Sequence, residues 1–211
     1  MVIFDLDGTL WDSTREVADS WNVMIEEETG ERIRLTPEII SSVMGKTMTQ
    51  IADELFSDIP EDKRYRLSHK CEAYEIDYIR ERGANLYPGV RETLDKLYEA
   101  GVKMAVVSNC QEGYIAAFIE SMNMQKYFVD YEEWGRTDLG KDENIRLVME
   151  RNGEAEAVYV GDIQRDADAA HAAGVPCIYA AYGFGRIADA DGVINSFEEL
   201  PGVLREMGFI D

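Results

Sequence analysis

Four short apolar runs, at residues 2–6, 102–107, 157–160 and 176–181, are separated by stretches whose apolar residues recur at helical spacing. This alternation is the strongest constraint on the fold. Runs of four to six apolar residues bounded by turn formers read as strands buried on both faces. Strands alternating with amphipathic helices, such as residues 89–99 and 143–151, build a mostly parallel sheet covered by helices on both sides. The expected fold class is therefore α/β. In such sheets ligands bind beyond the carboxyl ends of the strands, so chemistry is expected just after each run.

Residues 14–83 interrupt the pattern. Val17, Trp21 and Met24 recur at helical spacing, then Met48, Ile51, Ala52 and Leu55, then Leu67, Cys71, Tyr74 and Tyr78. No strand pattern intervenes. The stretch reads as a helical insert between the first two strands, a small cap over the end of strand one. The expected organisation is a core of residues 1–13 and 84–211 with a cap of residues 14–83. Ser196 and Glu199, at capping-box spacing before Pro201, announce a final helix.

Each strand end carries polar residues. After the first run come Asp5-Leu6-Asp7-Gly8-Thr9. Residues two apart in a strand share a face, so Asp5 and Asp7 begin on one side, and the turn at Gly8 can rotate Asp7 away. Paired carboxylates can divide into nucleophile and acid/base, or hold a divalent cation through hard oxygen ligands. A carboxylate beside Ile3, Phe4 and Leu6 is costly without a compensating charge, which a metal ion supplies. Asp162 ends another apolar run and is read in the same way, with Asp166 a turn further on. Ser108 and Asn109 offer a hydroxyl and an amide suited to phosphoryl oxygens. Lys141, opening a helix, would offset phosphoryl charge. Thr9 shapes the turn. Gly45-Lys46-Thr47, between two insert helices, makes Lys46 a candidate specificity residue.

Composition narrows the partners. The formal net charge is −21, from 42 acidic and 21 basic residues. Such a surface repels nucleic acid and anionic membranes, yet admits a small phosphorylated metabolite where a cation reverses the field. No apolar stretch reaches the roughly 20 residues of a membrane span. Three cysteines make no disulfide framework, and a cytoplasmic setting is the expectation. Cys71, Cys110 and Cys177 read as buried apolar residues, and His69 and His171 are too isolated to form a metal cluster. The oligomeric state is left open, and a monomer is compatible with these features.

Taken together, Asp5-x-Asp7-Gly8-Thr9, Ser108-Asn109, Lys141 and Gly161-Asp162-x-x-x-Asp166 resemble the haloacid dehalogenase superfamily, in its phosphatase branch with a helical cap after the first motif. All four segments stand in that family's order over residues 2 to about 185. The resemblance implies a Rossmann-like core and magnesium (Mg2+) held by Asp5, the backbone carbonyl of Asp7, Asp162 and Asp166. It further implies an aspartyl-phosphate on Asp5, Asp7 as acid/base, and Thr9, Ser108, Asn109 and Lys141 as substrate-binding residues. Phosphoglycolate, sugar phosphates, nucleoside monophosphates and pyrophosphate all fall within the branch. Two departures stand out. Lys141 precedes Asp142 rather than proline, with Lys126 and Arg136 as neighbouring cations. Asp7, absent from dehalogenases, argues against carbon–halogen chemistry. The competing expectations are a phosphomutase, a phosphonate hydrolase using Lys46, and a non-catalytic phosphoacceptor module.

Overall fold

The computed structural model describes residues 1–30 and 34–210. In chain order the elements are β1 (Val2–Phe4), β2 (Trp11–Asp12), α1 (Thr14–Thr29), α2 (Pro37–Val43), α3 (Met48–Leu55), α4 (Glu61–Arg82) and β3 (Asn85–Leu86). Then follow α5 (Val90–Glu99), β4 (Met104–Ser108), α6 (Tyr114–Ser121), β5 (Phe128–Glu133), α7 (Trp134–Thr137) and α8 (Lys141–Asn152). The chain continues through β6 (Val158–Gly161), α9 (Gln164–Ala173), β7 (Cys177–Ala180), β8 (Gly192–Ile194), a 3₁₀ turn (Phe197–Glu199) and α10 (Leu200–Glu206).

Six strands form one sheet in the order β5-β4-β1-β6-β7-β8, every neighbouring pair parallel. The period of two divides the strand side chains between two layers. Val2, Phe4, Met104, Val106, Val158 and Val160 pack with α5, α6 and α10 on one face, while Ile3, Ala105, Val107 and Tyr159 meet α8 and α9 on the other. The four predicted strands are all present. β5 and β8 were not expected. They are the two edges of the sheet: β5 is rich in acidic residues, and β8 is three residues long.

Between residues 13 and 83 the described residues hold α1 to α4 and no strand, as the sequence predicts. A two-stranded antiparallel ribbon, β2 with β3, joins this helical layer to the sheet where the chain leaves and returns. The predicted stripe on α4 is displaced. Its buried line runs Leu67, Cys71, Glu75 and Ile79, whereas Tyr74 and Tyr78 stand at its margin. The final helix forms, but Glu199 accepts from the Asn195 amide (2.8 Å) and Ser196 makes no side-chain cap. All three cysteines are free and buried, and no described helix is long and apolar enough to cross a membrane.

Candidate active site

β1, β4 and β6 lie side by side at the centre of the sheet, so their carboxyl ends deliver Asp5, Ser108 and Asp162 to one place. Asp5 follows Phe4 directly, and its amide bonds the Val160 carbonyl at 2.8 Å, which locks it beside β6. Asp5, Asp162 and Asp166 are all buried, and one oxygen from each lies within 4.8 Å of the others. Lys141, at the first turn of α8, donates to Asp5 Oδ1 (2.9 Å) and Asp166 Oδ1 (2.6 Å). Its ammonium also sits 5.6 Å from the centre of the Tyr159 ring, a cation–π distance. Burial works against the charged lysine, but Asp166 and Asp5 outweigh it and raise its pKa. Lys126 and Arg136 are engaged elsewhere, on Asp95 (2.6 Å) and Glu132 (2.7 Å).

Asp166 is held by its other oxygen, which accepts from the Asp162 and Ile163 amides at 3.0 and 3.1 Å. Asp162 accepts from the Phe184 amide at 2.7 Å. Glycines make room around them. A Cβ on Gly8, whose φ is +84°, would fall 2.2 Å from Asp162 Oδ2, and one on Gly183 would fall 2.4 Å from Asp162 Cβ. Neither position admits a side chain without displacing that carboxylate.

Burial and the excess of negative charge together raise the carboxyl pKa values. Burial pushes Asp5 up to about 6; Lys141 opposes this and Asp166 adds to it. Burial, with the charges of Asp166 and Asp5, pushes Asp162 up to about 8. Three carboxylates share one ammonium, and an added hard cation would relieve their repulsion. The donor set therefore fits a magnesium ion.

Asp7 stands apart from this cluster. Its Oδ1 accepts from Trp11 Nε1 (2.8 Å) and Ser13 Oγ (2.5 Å) and lies 3.0 Å from the Tyr114 hydroxyl. Burial raises its pKa to about 7 despite these donors, and Asp5 adds to the rise. A carboxyl poised near neutrality suits general acid/base work. Tyr114 is itself fixed through α6, because Glu133 at the end of β5 accepts from the Gly113 and Ile115 amides at 2.6 and 3.2 Å.

Asp5, Asp7, Ser108 and Asn109 line a cavity together with Trp21, Lys46, Glu75, Gln111 and Tyr114. Asn109 reaches from the sheet to the helical layer, donating to the Gly45 carbonyl at 3.1 Å. Lys46 lies at this cavity and is ion-paired with Glu54. Thr9 is fully buried, is not part of the cavity wall, and its hydroxyl has no partner among the described residues. Sequence reasoning did not find Trp11, Ser13, Tyr114, Glu75 or Gln111. The first two lie within six residues of Asp7, where the polar pair could have drawn notice. Tyr114 and Gln111 carry no local signal. Glu75 did carry one, as an acidic residue on a buried helical line.

Residues 2–180 match the family of haloacid dehalogenase-like hydrolases. The chain belongs to that family. Within it the protein is an enzyme of the phosphatase branch, as its curated relatives are. A phosphoglycolate phosphatase from Pseudomonas savastanoi pv. phaseolicola is 30% identical over 206 residues, covering 87% of this chain and 70% of its own length. One from Vibrio parahaemolyticus is 28% identical over 221 residues, covering 95% and 93%. Among solved structures, a predicted phosphoglycolate phosphatase from Haemophilus somnus superposes with a TM-score of 0.82 at 21% identity, covering 96% of both chains. CbbY from Rhodobacter sphaeroides, solved with phosphate, gives 0.81 at 19% identity, covering 96% of this chain and 97% of its own. At those identities the structures speak for the fold.

Proposed function

We propose that the protein hydrolyses small phosphate monoesters with magnesium, through a phosphoryl group carried transiently on Asp5. The observation that supports this best is the division of labour between two aspartates one residue apart. Asp5 is tied to Lys141 inside the carboxylate cluster, whereas Asp7 is held by neutral donors at a pKa of about 7. Asp5, Asp162 and the backbone carbonyl of Asp7 would hold the ion, with Asp166 supporting them. When bound, the ion supplies positive charge that lets an anionic nucleophile approach an anionic phosphate.

In the first step an Asp5 carboxylate oxygen attacks phosphorus, and the bond from phosphorus to the ester oxygen breaks. Asp7 gives its proton to the departing oxygen, which leaves as an alcohol. Ser108, Asn109 and Lys141 stabilise the equatorial oxygens. In the second step water attacks phosphorus, its proton passes to Asp7, and the phosphorus–Asp5 bond breaks to release phosphate. The donors to Asp7 all meet Oδ1, which leaves Oδ2 for this proton traffic. On this reading the helical layer of residues 14–83 is a cap that shields the reaction from bulk water.

Phosphate release from a panel of esters, with magnesium and with chelator, tests the proposal. Wild-type protein is expected to release phosphate only with the metal, and Asp5→Asn to lose about 10⁴–10⁶-fold in turnover. Substantial turnover by Asp5→Asn would remove Asp5 as the nucleophile.

A further inference from the structure

The donors to Asp7 all meet one oxygen, but they come from two different parts of the chain. Oδ1 receives Trp11 Nε1 at 2.8 Å, Ser13 Oγ at 2.5 Å and the Tyr114 hydroxyl at 3.0 Å. Trp11 and Ser13 belong to the turn that carries Asp7 itself, which the Gly8 amide closes on the Trp11 carbonyl at 2.9 Å. These two hold the carboxyl to its own turn. Tyr114 reaches it from 107 residues away and is 2% exposed.

The segment that ends in Tyr114 begins at Ser108, and it is braced along its length. The Gly135 amide donates to the Cys110 carbonyl at 3.0 Å, and a Cβ on Gly135 would fall 2.2 Å from the Glu112 nitrogen. Glu133 accepts from the Gly113 and Ile115 amides. Ser108 and Asn109 at one end and Tyr114 at the other are thus fixed in one frame. The Tyr114 hydroxyl has a single proton, with Asp7 Oδ1 and Ser13 Oγ (2.8 Å) both within reach. It braces Asp7 directly, or through Ser13, which itself meets the same oxygen. The Tyr114 ring lies edge-on to Trp11 with centroids 5.9 Å apart, so a swing of the phenol would disturb a second donor.

We propose that Tyr114 is a positioning residue: it ties Asp7 to the segment that would hold the phosphoryl oxygens, and so sets where Oδ2 meets the leaving oxygen. Proton transfer along a hydrogen bond tolerates little displacement, and a misplacement of about 1 Å can cost about 100-fold in rate. The proposal rests on the phosphomonoesterase reading above and adds to it a residue that acts through Asp7. A tyrosine that only fills the core would slow every ester alike when altered. One that places the acid matters where the departing oxygen must take a proton.

Two esters of similar size make that distinction. Benzyl phosphate releases an alcohol that must gain a proton as the bond to phosphorus breaks, whereas 4-nitrophenyl phosphate releases a phenolate that needs none. kcat/KM in magnesium is measured for the wild type and for Tyr114→Phe, which keeps the ring. Inorganic phosphate, as a competitive inhibitor, reports on the phosphoryl pocket. Tyr114→Phe is expected to lose about 10- to 100-fold on benzyl phosphate and less than about threefold on 4-nitrophenyl phosphate, with phosphate inhibition unchanged. In an Asp7→Asn background the same change should cost benzyl phosphate turnover less than about threefold, because residues that act as a unit do not add. Equal losses on the two esters, no loss on either, or a full further loss in the Asp7→Asn background would overturn the positioning role and leave the hydrolytic reading intact. A wild type that releases phosphate from neither ester would bring down the hydrolytic reading, and this role with it.

Discussion

Buried carboxylates gather around the candidate active site from two directions, and the two groups meet different partners. From the sheet come Asp5, Asp162 and Asp166, held by the Lys141 ammonium and by the backbone amides of Asp162, Ile163 and Phe184. From α4 comes Glu75, whose donor is the neutral indole of Trp21. The first group is met by an ammonium and by backbone amides, yet burial still lifts Asp5 to about 6 and Asp162 to about 8, so it calls for more positive charge. The second is pushed by burial up to about 8, with the Trp21 bond opposing and the charge of Asp7 adding to the rise. One side of the site is thus served by an ammonium and backbone amides, and the other by a neutral indole donor.

Removing Lys141 breaks the comparison most severely. Lys141→Met leaves Asp5 and Asp166 buried without their shared cation, and the loss of one partner from a buried pair costs about 3–5 kcal/mol. Urea unfolding in chelator at pH 8 should show a loss of that size. The deficit should shrink as pH falls toward 5, because the orphaned Asp5, which burial already lifts to about 6, can then take up a proton. Magnesium should restore part of the stability by binding the folded state. A loss below about 1 kcal/mol at pH 8 would mean that the sheet-side charges do not depend on the lysine.

Glu75→Gln sharpens the contrast from the other side. The carboxyl has an ordinary pKa of 4.5, raised to about 8 in the fold. Between those values the folded state holds a proton that the unfolded chain has lost, so wild-type stability falls as pH rises through this window. The amide does not titrate. The variant should therefore gain on wild type from about pH 5 upward, and the gap should stop growing above about pH 8, at on the order of 5 kcal/mol. Unfolding curves at four pH values test the sign. A gap that stays flat with pH would show that Glu75 keeps an ordinary pKa.

The same contrast explains what could be read from the sequence. On the sheet side, three of the candidate residues each follow an apolar run that reads as a central strand, so Asp5, Ser108 and Asp162 were legible from position alone. Their gathering at one place then follows from parallel topology. The edges were harder. β5 alternates acidic residues into its strand, and β8 is too short to make a pattern. On the helical side, Tyr74 and Tyr78 drew the predicted stripe because Glu75 interrupts the apolar line to which it belongs. A helical pattern assigned by hydrophobicity steps around a buried acid. Tyr114 reaches Asp7 across 107 residues of sequence, a distance that no local spacing encodes.

The smallest predicted effect concerns how the two sides are held together. Arg165, at the start of α9, donates to the Gln50 side chain of α3 at 2.9 Å, and both residues are exposed. Beside this contact Gly45 rests on Ile163 so closely that a Cβ would fall 2.3 Å from Ile163 Cδ1, and Asn109 holds the Gly45 carbonyl. The Arg165 bond is thus one of a small set that closes the helical layer over the sheet. An exposed hydrogen bond contributes about 0.5–1 kcal/mol, which shifts a closed-to-open equilibrium about two- to fivefold. Arg165→Ala should therefore leave global unfolding within about 0.5 kcal/mol of wild type. It should nevertheless raise KM two- to fivefold, because substrate would bind a less populated closed form. If product release limits turnover, kcat should rise as KM does. A variant with lower kcat and unchanged KM would place Arg165 in the chemistry of the sheet side, and not in the joint between the two.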